Sequence, residues 1–202
     1  MWKKGLVSTL NMWIQCFCKN GKLQEANQLL EEMVERQVKP DHETYTTLIS
    51  WNCKVKNMEK ARQLFLQMQE RNLIPLTSTF NSLLNGYSNA GNKDEVFSLF
   101  EEMVAKGIKP DEKTYYVMID TYCKEGNLIE ALKLRNVILD SGMPMSVTAY
   151  VSLIEALCKK EDISESLILL NEVGESGLRL STARCSSIAS NFNRAGDMDK
   201  AT

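Results

Sequence analysis

Apolar residues recur along this chain at helical spacing, and the recurring segments come in pairs. In one segment Tyr45, Leu48, Ile49, Asn52 and Cys53 fall at i, i+3, i+4, i+7 and i+8. Side chains at this spacing share one face of an α-helix. The same spacing returns in Leu10, Trp13, Ile14, Phe17 and Cys18 and in Tyr115, Met118, Ile119, Tyr122 and Cys123. The pattern predicts the first helix of each pair.

A second apolar stripe follows each first helix after a short polar turn. Its copies are Leu23, Ala26, Leu29, Leu30 and Met33, then Met58, Ala61, Leu64, Phe65 and Met68, then Leu128, Ala131, Leu134 and Ile138. Three of the pairs are followed by Pro40, Pro75 and Pro110. Proline cannot continue a helix and disfavours helix in the residue before it. Each pair of stripes therefore predicts an antiparallel helical hairpin.

The turn inside each hairpin recurs every 35 residues, which predicts a repeat protein. Its slot is occupied by Gly21, Lys56, Gly91, Gly126, Glu161 and Gly196. A constant period of 20 to 50 residues is typical of solenoids, in which each unit buries its apolar face against its neighbours. We expect an all-α fold, a right-handed α-solenoid of stacked antiparallel helical hairpins.

The period divides the chain into repeats. The predicted repeats are 7–41, 42–76, 77–111, 112–146 and 147–181, preceded by the tail of another repeat at 1–6 and followed by a truncated repeat at 182–202. In the truncated repeat Cys185, Ile188 and Phe192 are expected to lack the cover of a second helix. Exposed apolar surface of this kind favours fraying or self-association through that end.

Composition excludes several classes of protein. The chain has 202 residues, of which 44% are apolar and 25% charged, which is typical of neither a disordered tail nor a membrane protein. No apolar run approaches the ~18 residues that a membrane span requires. No targeting peptide is visible, and the end within a repeat suggests a fragment of a longer protein.

Net charge argues against a strongly basic nucleic-acid binder, but the placement of the cations does not. The net charge is −2, and the isoelectric point is about 5.6. One slot near the end of the first helices is nevertheless cationic in every repeat except the one with Asn89. Its cations are Lys19, Lys54, Lys124, Lys159 and Arg194. One slot of a solenoid forms one line along one face, and a phosphate backbone suits such a row of cations. The alternative is that each cation merely complements a helix dipole.

Short sequence motifs indicate the type of repeat. The tetratricopeptide string Trp-x-x-Leu-Gly-x-x-Tyr is absent. The chain has instead Lys-Pro-Asp-His-Glu-Thr-Tyr-Thr-Thr-Leu-Ile at 39–49, Thr-Phe-Asn-Ser-Leu-Leu at 79–84 and Gly-Ile-Lys-Pro-Asp at 107–111. In these motifs, which recur in register from about residue 7 onward, the chain resembles the pentatricopeptide repeat family.

The resemblance implies sequence-specific binding of single-stranded RNA at about one base per repeat. In this family a residue of the first helix and the last residue of the repeat read each base edge. Those pairs are Asn11 with Asp41, Thr46 with Leu76, Asn81 with Asp111, Tyr116 with Ser146 and Val151 with Ser181. The two Asn-Asp pairs imply uracil at two sites one nucleotide apart, whereas Tyr116 and Val151 match no familiar pairing. The alternative is that these are ordinary polar positions on an exposed helix face.

Neither cysteine nor histidine suggests a catalytic or metal site. Cys18, Cys53, Cys123 and Cys158 share one slot, which favours small buried hydrophobic side chains over metal ligands. The single histidine, His42, has no acid-base partners in sequence, and no phosphate-binding glycine loop is present. We expect no enzymatic activity and no cofactor.

Two functions remain open. The first is an RNA-binding module acting in organellar RNA processing, stability or translation, mitochondrial or alternatively in the chloroplast, as the family resemblance implies. The second is a scaffold for protein–protein interaction, with docking on the exposed helix faces. A salt-dependent affinity for single strands would distinguish the first from the second.

Overall fold

The computed structural model describes residues 2–160 and 162–194, with the side chains of residues 5–160 and 162–192. Within that part of the chain the structure is helical and has no strands. Its helices are α1 (Trp2–Lys19), α2 (Leu23–Glu35), α3 (His42–Lys54), α4 (Met58–Glu70), α5 (Thr77–Asn89), α6 (Lys93–Ala105), α7 (Glu112–Glu125), α8 (Leu128–Asp140), α9 (Val147–Lys159), α10 (Ile163–Glu175) and α11 (Thr182–Arg194). From α3 onward, successive first helices begin 35 residues apart, and successive second helices do so from α2 onward.

The helices form two compact units, residues 1–110 and 111–202. In the first unit α1 packs on α2, α3 on α4 and α5 on α6, while α1, α3 and α5 also contact one another in sequence order. In the second unit α7 packs on α8 and α9 on α10, and both α7 and α11 contact α9. Each unit is therefore built of antiparallel hairpins whose first helices lie side by side.

Left-handed residues end the helices at regular positions. After the first helices Gly21, Lys56, Gly91 and Gly126 have φ between 62° and 74°. A second column follows the second helices, where positive φ occurs at Gln37, Asn72, Gly107, Gly142 and Gly177. A left-handed residue lets the next N–H groups reach back to the last turn of the helix. Sequence periodicity indicated the first column but not the second, because Gln37 and Asn72 carry no turn signal as strong as glycine.

Each unit has its own apolar core between first and second helices. In the first unit Tyr45, Phe65 and Phe80 are fully buried, and the rings of Phe65 and Phe80 meet edge to face with centroids 5.3 Å apart. Edge-to-face packing places a ring edge against the negative face of its neighbour. One slot of the second helices is fully buried in both units, at Ala26, Ala61, Val96, Ala131 and Ser166. Small residues there allow the two helices of a hairpin to approach closely.

The expectation that Ile188 and Phe192 lack cover is wrong. Ile188 and Phe192 are buried in the core of the second unit, because α11 lays these side chains against α9. Cys185, in contrast, is exposed, as expected. At the other end α1 is continuous from residue 2 to residue 19, so residues 2–6 belong to the same helix as the start of the first predicted repeat. No helix in the described ranges combines the length and apolarity that a membrane crossing requires.

Candidate nucleic-acid interface

Asn11 lies at the junction between α1 and α3 and is almost completely buried, with 4% of its surface exposed. Its Nδ2 donates to Asp41 Oδ1 at 3.0 Å and to Glu43 Oε2 at 3.4 Å. Its Oδ1 accepts from the hydroxyl of Thr44 at 2.6 Å. The structure thus brings the predicted pair Asn11 and Asp41 together. It also overturns the alternative of an ordinary exposed helix face for Asn11, because stacking of α3 on α1 covers the amide.

Asp41 has a structural role that sequence reasoning missed, as the N-cap of α3. Its Oδ1 accepts from the backbone N–H of Thr44 at 3.0 Å, and its own N–H donates to the Thr44 hydroxyl at 3.1 Å. Asp111 caps α7 in the same way through Thr114. Burial by itself would raise the pKa of Asp41, but hydrogen bonds from Thr44 and Asn11 outweigh burial and lower it. In the sequence, the string Asp-x-x-Thr at 41–44 and 111–114 is the pattern that indicates this reciprocal N-cap.

The second predicted pair is less suited to reading a base. Thr46 is half-buried, and its hydroxyl shares a 2.9 Å hydrogen bond with that of Thr79. Leu76 stands at the N-cap of α5 without a side-chain cap and is 52% exposed. The pair therefore offers one hydroxyl and one apolar side chain.

The third pair is divided between the two units. Asn81 lies on α5 in the first unit and is half-buried. Asp111 lies immediately before α7 at the start of the second unit and is also half-buried. In the sequence each lies 70 residues, or two repeats, after its counterpart in the first pair, Asn11 and Asp41.

In the second unit the remaining slots differ among themselves. Tyr116 is half-buried on α7, and burial together with the neighbouring Asp120 raises the pKa of its phenol. Ser146 caps α9 by accepting from the N–H of Ala149, and Ser181 is exposed. Val151 is buried in the apolar core, so the base-reading role predicted for it does not fit: its side chain is covered and has no polar atom.

Three of the predicted backbone-binding cations are exposed at the last residue of a first helix: Lys19, Lys54 and Lys159. None of these three has a carboxylate within 4 Å in the described part of the chain. The ammonium of Lys54 lies 4.2 Å from the centroid of the Trp51 ring, a cation–π contact. Their position also complements the helix dipole, so both readings of the lysine slot agree with this geometry. The side chain of Arg194 lies outside the described residues.

Lys124 differs from the other lysines of its slot. Its ammonium forms an ion pair with Asp120 Oδ2 at 2.7 Å, and Asp120 Oδ1 accepts from the hydroxyl of Ser152 at 3.0 Å. In the next repeat Glu155 occupies the position of Asp120 and accepts from Ser187 at 2.7 Å. Sequence reasoning missed this acidic slot, although both carboxylates stand four residues before a lysine of the predicted row.

The cysteine slot is apolar, as predicted for its members Cys18, Cys53 and Cys158, which are buried. Cys123 in the same slot is half-buried. Burial raises the pKa of Cys53 and of Cys123 to about 12. Across the described residues no three His, Cys, Asp or Glu side chains are grouped as a metal site would need.

The fold of the chain is shared with solved RNA-related helical repeat proteins. The pentatricopeptide repeat protein PPR10 from maize matches 96% of this chain with a TM-score of 0.78 at 22% identity, and the chain spans 28% of PPR10. PPR10 in complex with an 18-nt psaJ RNA element matches with a TM-score of 0.75 at 21% identity, over 96% of this chain and 29% of that one. The PPR domain of Arabidopsis thaliana protein-only RNase P 1, in complex with tRNA, matches with a TM-score of 0.75 at 17% identity, over 92% of this chain and 98% of that domain. No curated protein sequence matches this chain.

Family models cover most of the chain. The model of the PPR repeat family matches residues 6–54 and 75–124, and that of the PPR repeat matches residues 43–73, 113–143 and 148–178. The matched segments overlap every described hairpin from α1/α2 to α9/α10. With the stacked helical hairpins described above, these matches establish that the chain belongs to the pentatricopeptide repeat family and has its α-solenoid fold.

Proposed function

We propose that this chain binds single-stranded RNA along the first helices of its two units. The observation that carries the proposal is the repeated lysine slot, in which Lys19, Lys54 and Lys159 are exposed and have no carboxylate partner within the described residues. Exposed cations that recur in one slot of the repeats attract a phosphate backbone, because each contact releases condensed counterions. Family membership and the RNA complexes of proteins with this fold support the proposal.

Base selection in this proposal follows the family pairing. Asn11 with Asp41 and Asn81 with Asp111 each select uracil, and one nucleotide separates the two sites. The amide of Asn11 is occupied in the free protein, so a base must replace one of its contacts. The 3.4 Å contact with Glu43 is the longest of these and the easiest to exchange. Asp41 meanwhile remains fixed by its cap and orients the amide.

A binding titration tests the proposal. We expect saturable affinity for a uracil-containing single-stranded RNA, weak affinity for the same sequence as a duplex, and a log–log salt slope of about −2 to −3, from about −0.7 per cation for three or four cations. Fluorescence anisotropy of a labelled oligonucleotide at several salt concentrations measures all three. A slope near zero, or equal affinity for duplex, would instead favour a scaffold for protein partners.

A selection experiment tests the base assignment separately. A random RNA pool bound to the unaltered chain should become enriched in two uracils separated by one nucleotide. Asn81→Thr should shift the second of these from uracil towards guanine, because the Thr-Asp pairing implies guanine in this family. Identical selected sequences for both proteins would refute the assignment while leaving RNA binding itself intact.

The proposed biological action is occupancy of a transcript. A bound strand cannot pair with itself and is not accessible to an exonuclease. Binding alone therefore affects processing, stability or translation of the transcript without catalysis by this chain. We propose the mitochondrion as its compartment, with the chloroplast as the alternative. Fractionation of cells followed by detection of the protein tests this, and a purely nuclear signal would refute it.

A further inference from the structure

The first helices of the second unit carry a carboxylate, Asp120 or Glu155, four residues before a lysine of the predicted row. Asp120 stands four residues before Lys124, and the corresponding positions of the other repeats are Gln15, Ser50, Asn85, Glu155 and Ser190. All of these except Glu155 are neutral. Residues four apart on a helix are neighbours on its surface, so a carboxylate in this slot faces the lysine of the row directly.

Asp120 is held in place from two sides. Its Oδ2 lies 2.7 Å from the ammonium of Lys124, and its Oδ1 accepts the hydroxyl of Ser152 from α9 at 3.0 Å. Its side chain is 18% exposed, whereas that of Lys124 is 56% exposed. A carboxylate fixed in this way holds the ammonium of Lys124 in one position. Because the pair is partly buried, dissolved salt screens their attraction less than it would in a fully exposed pair.

The same carboxylate also lies beside a base-reading slot. Tyr116 is four residues before Asp120, and the raised pKa of its phenol reflects burial and the charge of that aspartate. A phosphate approaching Lys124 would therefore meet the negative charge of Asp120 on the face that Tyr116 shares. The three residues form one stripe of α7.

We infer that Asp120 withholds Lys124 from the RNA backbone, so that the repeat at 112–146 lowers rather than raises affinity for RNA. This inference rests on the proposed function. Glu155 carries the same charge one repeat later, yet Lys159 has no carboxylate within 4 Å in the described ranges. Asp120 therefore acts through its ion pair, whereas Glu155 adds only its general negative charge.

Asp120→Asn is the variant that separates these effects. The amide oxygen of asparagine can still accept from Ser152, while its NH₂ group cannot pair with an ammonium. Lys124 is then released without loss of the contact between α7 and α9. One additional phosphate contact steepens the log–log salt slope by about 0.7. The gain in affinity over the unaltered chain is then about fivefold larger at 0.1 M salt than at 1 M.

Anisotropy titrations with one uracil-containing single strand test the inference. We expect Asp120→Asn to bind about fivefold more tightly at 0.1 M salt, with the steeper slope, and Lys124→Ala to change affinity less than twofold. Glu155→Gln, which alters net charge equally, should gain less than Asp120→Asn. In the double variant Asp120→Asn/Lys124→Ala the gain should disappear, which a merely structural role of Asp120 would not produce.

The outcomes distinguish the inference from the function on which it rests. If the unaltered chain binds RNA and Lys54→Ala weakens it, but Asp120→Asn gains no more than Glu155→Gln, the inference is overturned and the proposed function stands. A Lys124→Ala loss as large as that of Lys54→Ala overturns it as well. If the unaltered chain binds no single strand, both fail together.

Discussion

Removal of one hydroxyl group at the junction of α1 and α3 should destabilise the first unit measurably. Thr44 is fully buried, and its Oγ1 donates to Asn11 Oδ1 and accepts from the N–H of Asp41. Thr44→Val preserves the shape of the side chain and deletes only the hydroxyl. The backbone N–H of residue 44 still donates to Asp41 Oδ1, so the α3 N-cap is weakened but not lost.

The expected cost follows from the two groups that lose their partner. A buried polar group left unsatisfied costs about 1–3 kcal/mol. The oxygen of Asn11 is almost completely buried and should lose close to the full amount, whereas Asp41 is half-buried and water replaces part of its bond. We therefore expect a loss of about 2–3 kcal/mol in the free energy of unfolding.

Thr79→Val is the matched control for this measurement. Thr79 occupies the same fully buried slot one repeat later, but its hydroxyl makes a single bond, to Thr46 at 2.9 Å. Its loss should cost about 1 kcal/mol. Urea unfolding followed by far-UV circular dichroism gives both values at equal m-value.

Hydrogen exchange then shows where stability was lost. Repeat proteins can unfold in parts, so a global midpoint alone does not locate the change. With Thr44→Val, amides of α1 and of the start of α3 should exchange faster, while those of α9 should not change. A loss no larger than that of Thr79→Val, or faster exchange only in distant helices, would refute the proposed network.

Three further perturbations have expected outcomes. The pKa of Asp41 is lowered in the folded state, so the stability that its carboxylate contributes is complete above the ordinary pKa of 3.8 and is lost as pH falls through the lower folded value. In urea titrations the difference in stability between the unaltered chain and Asp41→Asn should therefore stay constant from about pH 7 to 5 and shrink below about pH 4. A difference that grows with acid would contradict this. Gly86→Ala should lower stability by about 1–2 kcal/mol despite the better helix propensity of alanine, because the added Cβ would lie 2.9 Å from Cβ of Cys53 and 2.8 Å from Cε of Met58; a thermal melt at or above that of the unaltered chain would show that this contact relaxes freely. Cys53, whose pKa burial raises to about 12, should react with a thiol reagent at pH 8 far more slowly than the exposed Cys16, as mass spectrometry after brief labelling would show, and equal rates would indicate that the first unit opens readily.

Much of the fold could be predicted from the sequence because its determinants are local and repeated. Helical spacing of apolar residues located the hairpins, and the 35-residue period indicated which residues are equivalent in different hairpins. The small-residue slot of Ala61 and the apolar surroundings of Cys53 followed from that equivalence. Left-handed turns at Gln37 and Asn72 did not, since neither residue type demands that conformation.

Equivalence within a repeat, however, does not specify what a side chain contacts. The partners of Asn11 lie 30 to 33 residues further along the chain, and Ser152 lies 32 residues beyond Asp120. The period assigned Lys54 and Lys124 to one slot, yet only Lys124 has a carboxylate on it.

The residue pattern alone was therefore enough to assign the family, the hairpins and the register of the candidate RNA-binding positions. Which of those positions are buried, which contact a neighbouring helix and which remain available to a ligand followed only from the packing of the helices. Helix periodicity depends on residues within a few turns, whereas the partners of a side chain depend on the offset at which neighbouring helices stack.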